Sequence, residues 1–228
     1  MIVYGRNPVR EAIRGPREVR RVWAAGSAAT LPWLTEQSIT VLGDSEELTR
    51  LCGSDGHQGV CAEVSPFRYA SADELLTSPD SFIVALDQVQ DPQNLGAICR
   101  VCECAGVAGV VIPERRAVEV TPTVCKSSAG AVEWLRVARV RNLADWLGEA
   151  KRAGLWCYGA DAAGPVPYDA VDYSGGVVLV LGSEGRGLRS RVASACDALV
   201  AIPLRGRVES LSVSTAAAVL VYTAARKR

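Results

Sequence analysis

The sequence predicts an α/β protein in two parts, a small N-terminal unit and a larger one built on a parallel sheet with helices on its faces. Short apolar runs recur at residues 82–86, 109–112, 155–158, 177–181 and 199–202. Where such runs are β-branched, as at 177–181, they suit strands covered on both faces. Helical stretches at 95–105, 143–153 and 211–225 lie between or after them, and this alternation is how parallel sheets are built. A third observation separates the parts. "SPFRYASADELLTSPD", residues 65–80, gathers Pro66, Pro79 and small polar residues around one short amphipathic turn, as a linker does. The expected division is therefore 1–66, a linker at 67–80, and 81–228, with strand-like pieces near 19–23 and 60–64 in the first unit.

A chain of 228 residues with 49% hydrophobic content can bury a full core. The formal net charge of +0 argues against indiscriminate coating of nucleic acid, which depends on neutralising phosphates, so any RNA contact must be local. The start of the chain has such a local bias: Arg6, Arg10, Arg14, Arg17, Arg20 and Arg21 stand against Glu11 and Glu18. A solvated helix face and an RNA-binding surface both account for it. "MIVYGRNPVREAI" has no signal-peptide core, and no run approaches the roughly 20 apolar residues of a membrane span. A cytoplasmic protein without a membrane partner is expected. The 8 cysteines are scattered and should act as small buried hydrophobes. Cys99, Cys102 and Cys104 make C-x-x-C-x-C, but no second pair has zinc spacing and the only histidine, His57, is distant, so no metal is expected.

Three stretches at predicted strand ends carry the candidate chemistry. In "VVLVLGSEGRGL", residues 177–188, Gly182, Gly185 and Gly187 run G-x-x-G-x-G, which is neither the dinucleotide fingerprint nor a P-loop. A nucleotide-dependent oxidoreductase thus lacks its signature. In "LDQVQDPQNLGAICRVCECAG", residues 86–106, Asp91-Pro92 opens a turn, Asn94 can cap the following helix and Arg100 sits one and a half turns in. The last stretch, "AIPLRGRVESLSVSTAAAVLVY", residues 201–222, runs from a strand end through a polar loop into a helix whose Ser214, Ala216, Ala217 and Ala218 allow close approach. A Ser-His-Asp hydrolase would depend on His57 and has no G-x-S-x-G elbow. His57 reads as part of a structural turn or of an RNA surface. The tryptophans Trp23, Trp33, Trp134, Trp146 and Trp156 suit buried packing more than base stacking.

Taken together, "NLGAICR", "LGSEGRGL" and "IPLRGRVESLSVSTAAAVLVY" resemble the three signature motifs of the SpoU (TrmH-like) branch of the SPOUT RNA methyltransferases, in order across residues 82–225. Upstream, "YGRNPVREAI" and "GSDGHQGVCAEV" are similar to the small ribosomal-protein-like substrate-binding domain of the ribosomal-RNA ribose methyltransferases in that branch. The resemblance implies a C-terminal SPOUT domain with a deep trefoil knot, which periodicity does not show. It implies S-adenosylmethionine bound by Leu181, Gly182, Ser183, Gly187, Ile202, Leu204 and Leu211, with a side chain added at Gly182 pushing into the cofactor's space. It implies methyl transfer to a ribose 2′-hydroxyl through Arg100, Asn94, Glu184 and Ser212. Arg100 would clamp the target, since a guanidinium is a poor base, and Asn94 and Glu184 would fix Arg100 and the motif loops. RNA contacts are expected from Arg6, Asn7, Arg10, His57 and Arg186, and pairing of two copies as a homodimer. The implied substrate is a guanosine of large-subunit ribosomal RNA, with transfer RNA or an inactive RNA-binding assembly factor as alternatives. One position departs from the pattern: the family writes S-L-N-V-S where this chain has "SLSVS", with Ser212 in place of the asparagine.

Overall fold

In the computed structural model, which describes residues 1–34, 37–42, 44–208 and 210–228, the chain forms a four-stranded and a seven-stranded sheet. The first comprises β1 (Ile2–Tyr4), β2 (Val19–Ala25), β3 (Ile39–Leu42) and β4 (Val60–Val64), with helices α1 (Arg6–Arg14) and α2 (Ser45–Cys52). Its order is β1-β4-β2-β3, and β4 runs antiparallel to both of its neighbours. In α1, Pro8, Val9 and Ala12 are buried while Arg6 and Arg10 are exposed. The basic bias of the N-terminus is in part the outer face of this helix. Asp44 caps α2 by accepting from the Glu47 N–H at 2.9 Å, and Gly53 ends it in the left-handed conformation at φ +68°.

The larger sheet follows the predicted alternation. It contains β5 (Phe82–Asp87), α3 (Pro92–Cys104), β6 (Gly109–Pro113), α4 (Pro122–Ser127), β7 (Val137–Val140), α5 (Leu143–Arg152), β8 (Trp156–Ala160), β9 (Val166–Pro167), β10 (Val177–Gly182), α6 (Ser190–Ala195), β11 (Ala198–Ala201) and α7 (Val213–Lys227). The strand order is β7-β6-β5-β10-β8-β11-β9, and every pairing is parallel. The central position of β10 explains why Val177–Leu181 reads as an unbroken apolar run: all five residues are buried. The register sets Leu181 opposite Leu86 and Gly182 opposite Asp87. The loops after β5 and β10 therefore emerge side by side at the carboxyl edge, with β6 leading away on one side and β8 on the other, where open α/β sheets bind ligands.

Helices α3 and α7 pack together, and α3 buries Leu95, Ile98, Cys99 and Cys102. Gly96 is obligatory there, since a Cβ would overlap Ser127 Oγ of α4. Cys104 is exposed, so the C-x-x-C-x-C run splits between core and surface. Strand β7 was not expected because its four residues, "VARV", include an arginine, and β3 is a short strand at the edge of its sheet. The segment at 67–80 straps the edge of β7. Ala70 N donates to Val137 O at 2.9 Å, Val120 N donates to Tyr69 Oη at 2.9 Å, and Leu75 is buried.

Where the two sheets' units meet, Arg17 is buried against Glu133, with Arg17 Nε donating to Glu133 Oε2 at 2.7 Å. The same guanidinium donates to Ser65 O at 3.4 Å and lies 5.8 Å from the centre of the Phe67 ring. Burial alone would push the pKa of Arg17 down, but the Glu133 carboxylate outweighs it and the net direction is up. No helix among the described residues is long and apolar enough to cross a membrane.

Candidate functional site

The glycine-rich stretch after β10 is a closed loop. Ser183 N donates to Gly187 O at 3.1 Å and Gly187 N returns to Ser183 O at 2.9 Å, leaving Glu184, Gly185 and Arg186 at the tip. Gly185 and Gly187 sit at φ +74° and +62°, where a side chain is strained. Gly182 serves a different purpose from the one expected. A Cβ there would overlap the Gly187 carbonyl and the Leu188 N–H, so an added side chain meets the loop itself and not an open ligand space. Behind the loop, the buried Asp87 carboxylate accepts from Arg189 N at 2.9 Å and from Arg189 Nε at 2.8 Å. This two-pronged pair fixes the exit of the loop.

Helix α3 begins at Pro92, and its cap is Asp91, which accepts from the Gln93 N–H at 2.9 Å. Asn94 was expected to cap, but Pro92 at the first helical position moves the start earlier and frees the Asn94 amide. Asn94 is 9% exposed. Its Nδ2 donates to Asp91 Oδ2 at 3.1 Å and to Glu184 Oε1 at 3.0 Å, and its Oδ1 accepts from Ser214 Oγ at 2.9 Å. Ser214 Oγ lies 3.1 Å from Ser212 Oγ, which caps α7 by accepting from the Thr215 N–H at 3.2 Å. One hydrogen-bonded chain, Glu184–Asn94–Ser214–Ser212, thus joins the three strand-end stretches.

Two cavities adjoin the first turn of α7, one reached by Ala216 and the other by Val213. The first is apolar, about 140 Å³, and lined among others by Ala160, Val200, Ile202, Leu204, Leu211 and Ala216. The backbone N–H groups of Ile202, Leu204 and Leu211 find no partner among the described residues, so the loop lining this cavity holds free donors. The second is polar, about 720 Å³, and its walls include Asn94, Ser183, Glu184, Arg186 and Val213.

The structure thus joins Asn94, Glu184 and Ser212, and it places Ile202, Leu204 and Leu211 on one cavity. It does not bring Arg100 to them: Arg100 is exposed on α3 without a hydrogen bond to Asn94 or Glu184, which hold each other instead. Leu181 is buried under the loop, Gly182 and Gly187 close it, and Ser183 faces the polar cavity. Arg6, Asn7 and Arg10 are exposed on α1. Arg6 is tied to the turn before β4 through Gln58, whose side-chain oxygen accepts from Arg6 N at 3.1 Å. Of the two readings for His57, the structural turn matches the geometry and the RNA contact does not: it is 5% exposed, with Nδ1 accepting from the Gly59 N–H at 3.0 Å and Nε2 3.2 Å from Thr49 Oγ1. Of the tryptophans, Trp23 and Trp146 are buried while Trp134 and Trp156 are exposed. Sequence reasoning passed over Asp87 and Arg189 and read Ser214 only as a small packing residue; Asp87 in "LDQ", at the end of an apolar strand, was the available signal, since a carboxylate there is buried only if paired.

Residues 81–222 match the family model of the SpoU rRNA Methylase family, and residues 2–70 match that for RNA 2′-O ribose methyltransferase substrate binding. A protein of Bacillus subtilis named as a TrmH family tRNA/rRNA methyltransferase is 38% identical over 99% of this chain and 95% of its own length. The crystal structure of the SpoU methyltransferase AviRb from Streptomyces viridochromogenes, in complex with the cofactor AdoMet, aligns at TM-score 0.84 and 26% identity over 100% of this chain and 89% of that one. The TrmH/SpoU tRNA modifying enzyme of A. aeolicus aligns at TM-score 0.58 and 28% identity, over 69% of this chain and 80% of that one.

Proposed function

The chain belongs to the SpoU rRNA methylase family, and from that premise we propose that it is an S-adenosylmethionine-dependent 2′-O-ribose methyltransferase acting on a guanosine of large-subunit ribosomal RNA. The observation that carries this reading is the pair of cavities that adjoin the first turn of α7, one apolar and one polar. S-adenosylmethionine, when bound, supplies a methyl group on a sulfonium. The apolar cavity fits its adenosyl part: Ile202, Leu204 and Leu211 offer apolar surface together with unpaired backbone donors. A cofactor without phosphates needs no P-loop lysine, in keeping with the glycine pattern.

The chain's own residues then position the nucleophile. A ribose hydroxyl is weakly acidic, so the site has to orient it and stabilise developing negative charge, with the proton passing to a phosphate oxygen or water. Asn94 and Glu184 set the relation of the glycine loop to α3, Ser214 of α7 donates to Asn94, and Ser212 at the cap of α7 backs Ser214. We assign Arg100 as the RNA clamp, presented from the exposed side of α3, and Arg6, Asn7, Arg10 and Arg186 as RNA contacts. Ribosomal RNA is favoured over transfer RNA because the A. aeolicus tRNA modifying enzyme aligns with only 69% of this chain, whereas the first sheet here forms a separate unit matched by the substrate-binding model. Mapping ribose methylation in total RNA with and without the gene tests the assignment: the loss of one large-subunit guanosine methylation is expected, and loss at a transfer RNA position instead would replace the target.

Gly182→Val should lower cofactor affinity by roughly tenfold or more, because overpacking of about 1–3 kcal/mol is relieved only by opening the loop. Calorimetry with S-adenosylmethionine checks this, and circular dichroism confirms that the sheet is intact.

The protein is further proposed to be a homodimer. Val208 and Tyr222 are apolar residues left exposed outside the cofactor cavity, with Val208 at 74%, and such surface is available to a second copy of the chain. Light scattering at micromolar concentration should give twice the chain mass of 24.2 kDa; the single-chain mass would exclude pairing.

A further inference from the structure

The polar cavity beside Asn94 and Glu184 holds groups that the reading above leaves unused. Gln88 and Gln90 enter it from the loop after β5, and Arg116 from the loop after β6. Gln88 and Arg116 are both non-glycine residues in the left-handed region, at φ +63° and +59°. Such a backbone persists only where its surroundings impose it. The imposition is visible: Gln90 Nε2 donates to Arg116 O at 3.4 Å, and Val118 N donates to Val89 O at 3.0 Å, joining the two loops edge to edge.

The charges on the cavity are uneven. Its carboxylates are occupied, Asp91 by the Gln93 N–H and the Asn94 amide, and Glu184 by the Asn94 amide. Neither Arg116 nor Arg186 makes an ion pair among the described residues. Two guanidinium groups without carboxylate partners, on a cavity of about 720 Å³, present the donor geometry that suits phosphate. A glutamine amide beside them offers both a donor and an acceptor to a base edge.

We propose that Arg116 is a substrate-binding residue: with Arg186 it grips the phosphates flanking the RNA nucleotide that enters this cavity, while Gln88 faces the base. The assignment rests on the methyltransferase reading for its substrate.

The decisive variant is Arg116→Gly, because glycine adopts φ +59° freely, so the loop is retained while the guanidinium is removed. Arg116→Lys keeps the charge without the planar fork. The full-length protein is assayed with tritiated S-adenosylmethionine and total RNA from cells lacking the gene, and RNA binding is followed by filter retention across a salt series. Arg116→Gly should unfold at an unchanged or higher denaturant concentration and bind the cofactor as the wild type does. Its KM for RNA should rise about tenfold or more, and the salt slope of RNA binding should fall by about one, the signature of one lost phosphate contact. Arg116→Lys should keep the slope and lose part of the affinity. An unchanged slope and KM in Arg116→Gly overturn the proposal. If the wild type transfers no methyl group to this RNA, it is the methyltransferase reading that fails, and the binding slope still decides for or against Arg116.

Discussion

Arg100→Ala is expected to lower the rate of methyl transfer about a hundredfold or more, the usual result of removing one donor that stabilises developing charge, while cofactor affinity and folding stay near wild type. The structure makes this a clean test. Arg100 is exposed on α3 and makes no hydrogen bond or ion pair among the described residues, so its removal strands no buried partner. The cavity assigned to the cofactor is lined by residues of the β8, β11 and α7 regions and not by Arg100. Arg100→Lys should fail almost as badly, since an ammonium cannot reproduce a two-pronged contact. Ser212→Asn should behave in the opposite way. Asparagine caps helices as well as serine does, so α7 is kept, and activity should be equal or higher. Single-turnover rates with calorimetry on the same samples check both. An unchanged rate in Arg100→Ala together with abolished transfer in Ser212→Asn would move the catalytic centre elsewhere.

The largest stability effect is expected at the junction of the two units. Glu133→Ala or Arg17→Ala leaves a charge in a site where the Arg17 and Glu133 side chains are only 6% and 1% exposed. Breaking a buried pair from one side costs about 3–5 kcal/mol, which for a chain of this size lowers the melting temperature by about 6–20 °C. The double variant Arg17→Met, Glu133→Leu removes both charges and should recover part of that loss. Thermal unfolding of the three variants, followed by circular dichroism, checks the order. If the single variants lose less than the double one, the pair does not hold the junction.

How much of this could be read in the chain depended on the range of the interaction. The β10 run and the helices at α3, α5 and α7 were legible because their apolar residues are buried by the same sheet that their periodicity implies. Strand β7 was not, because its place at the edge comes from pairing with β6 and with the 67–80 strap, and four residues carry too little pattern. The motifs located Asn94, Glu184 and Ser212, but only the register of β5 against β10 shows that they share one hydrogen-bonded chain. His57 was left open between a structural turn and an RNA surface, because its partner Thr49 lies on a helix whose packing no local pattern reveals. The purpose of Gly182 was likewise hidden: what it avoids is the backbone five residues further on, brought back by the loop's own closure. Arg116 carried no motif at all, and only its backbone conformation and the cavity it enters distinguish it from the other surface arginines.

The central claim is methyl transfer from S-adenosylmethionine to a ribose 2′-hydroxyl, and one measurement addresses it directly. The purified protein is incubated with tritiated S-adenosylmethionine and total RNA from cells lacking the gene, and the RNA is then hydrolysed in alkali. A methylated 2′-oxygen cannot attack its neighbouring phosphate, so label in an alkali-resistant dinucleotide is the predicted result. Absence of label, or label recovered only in ordinary mononucleotides, would contradict the account.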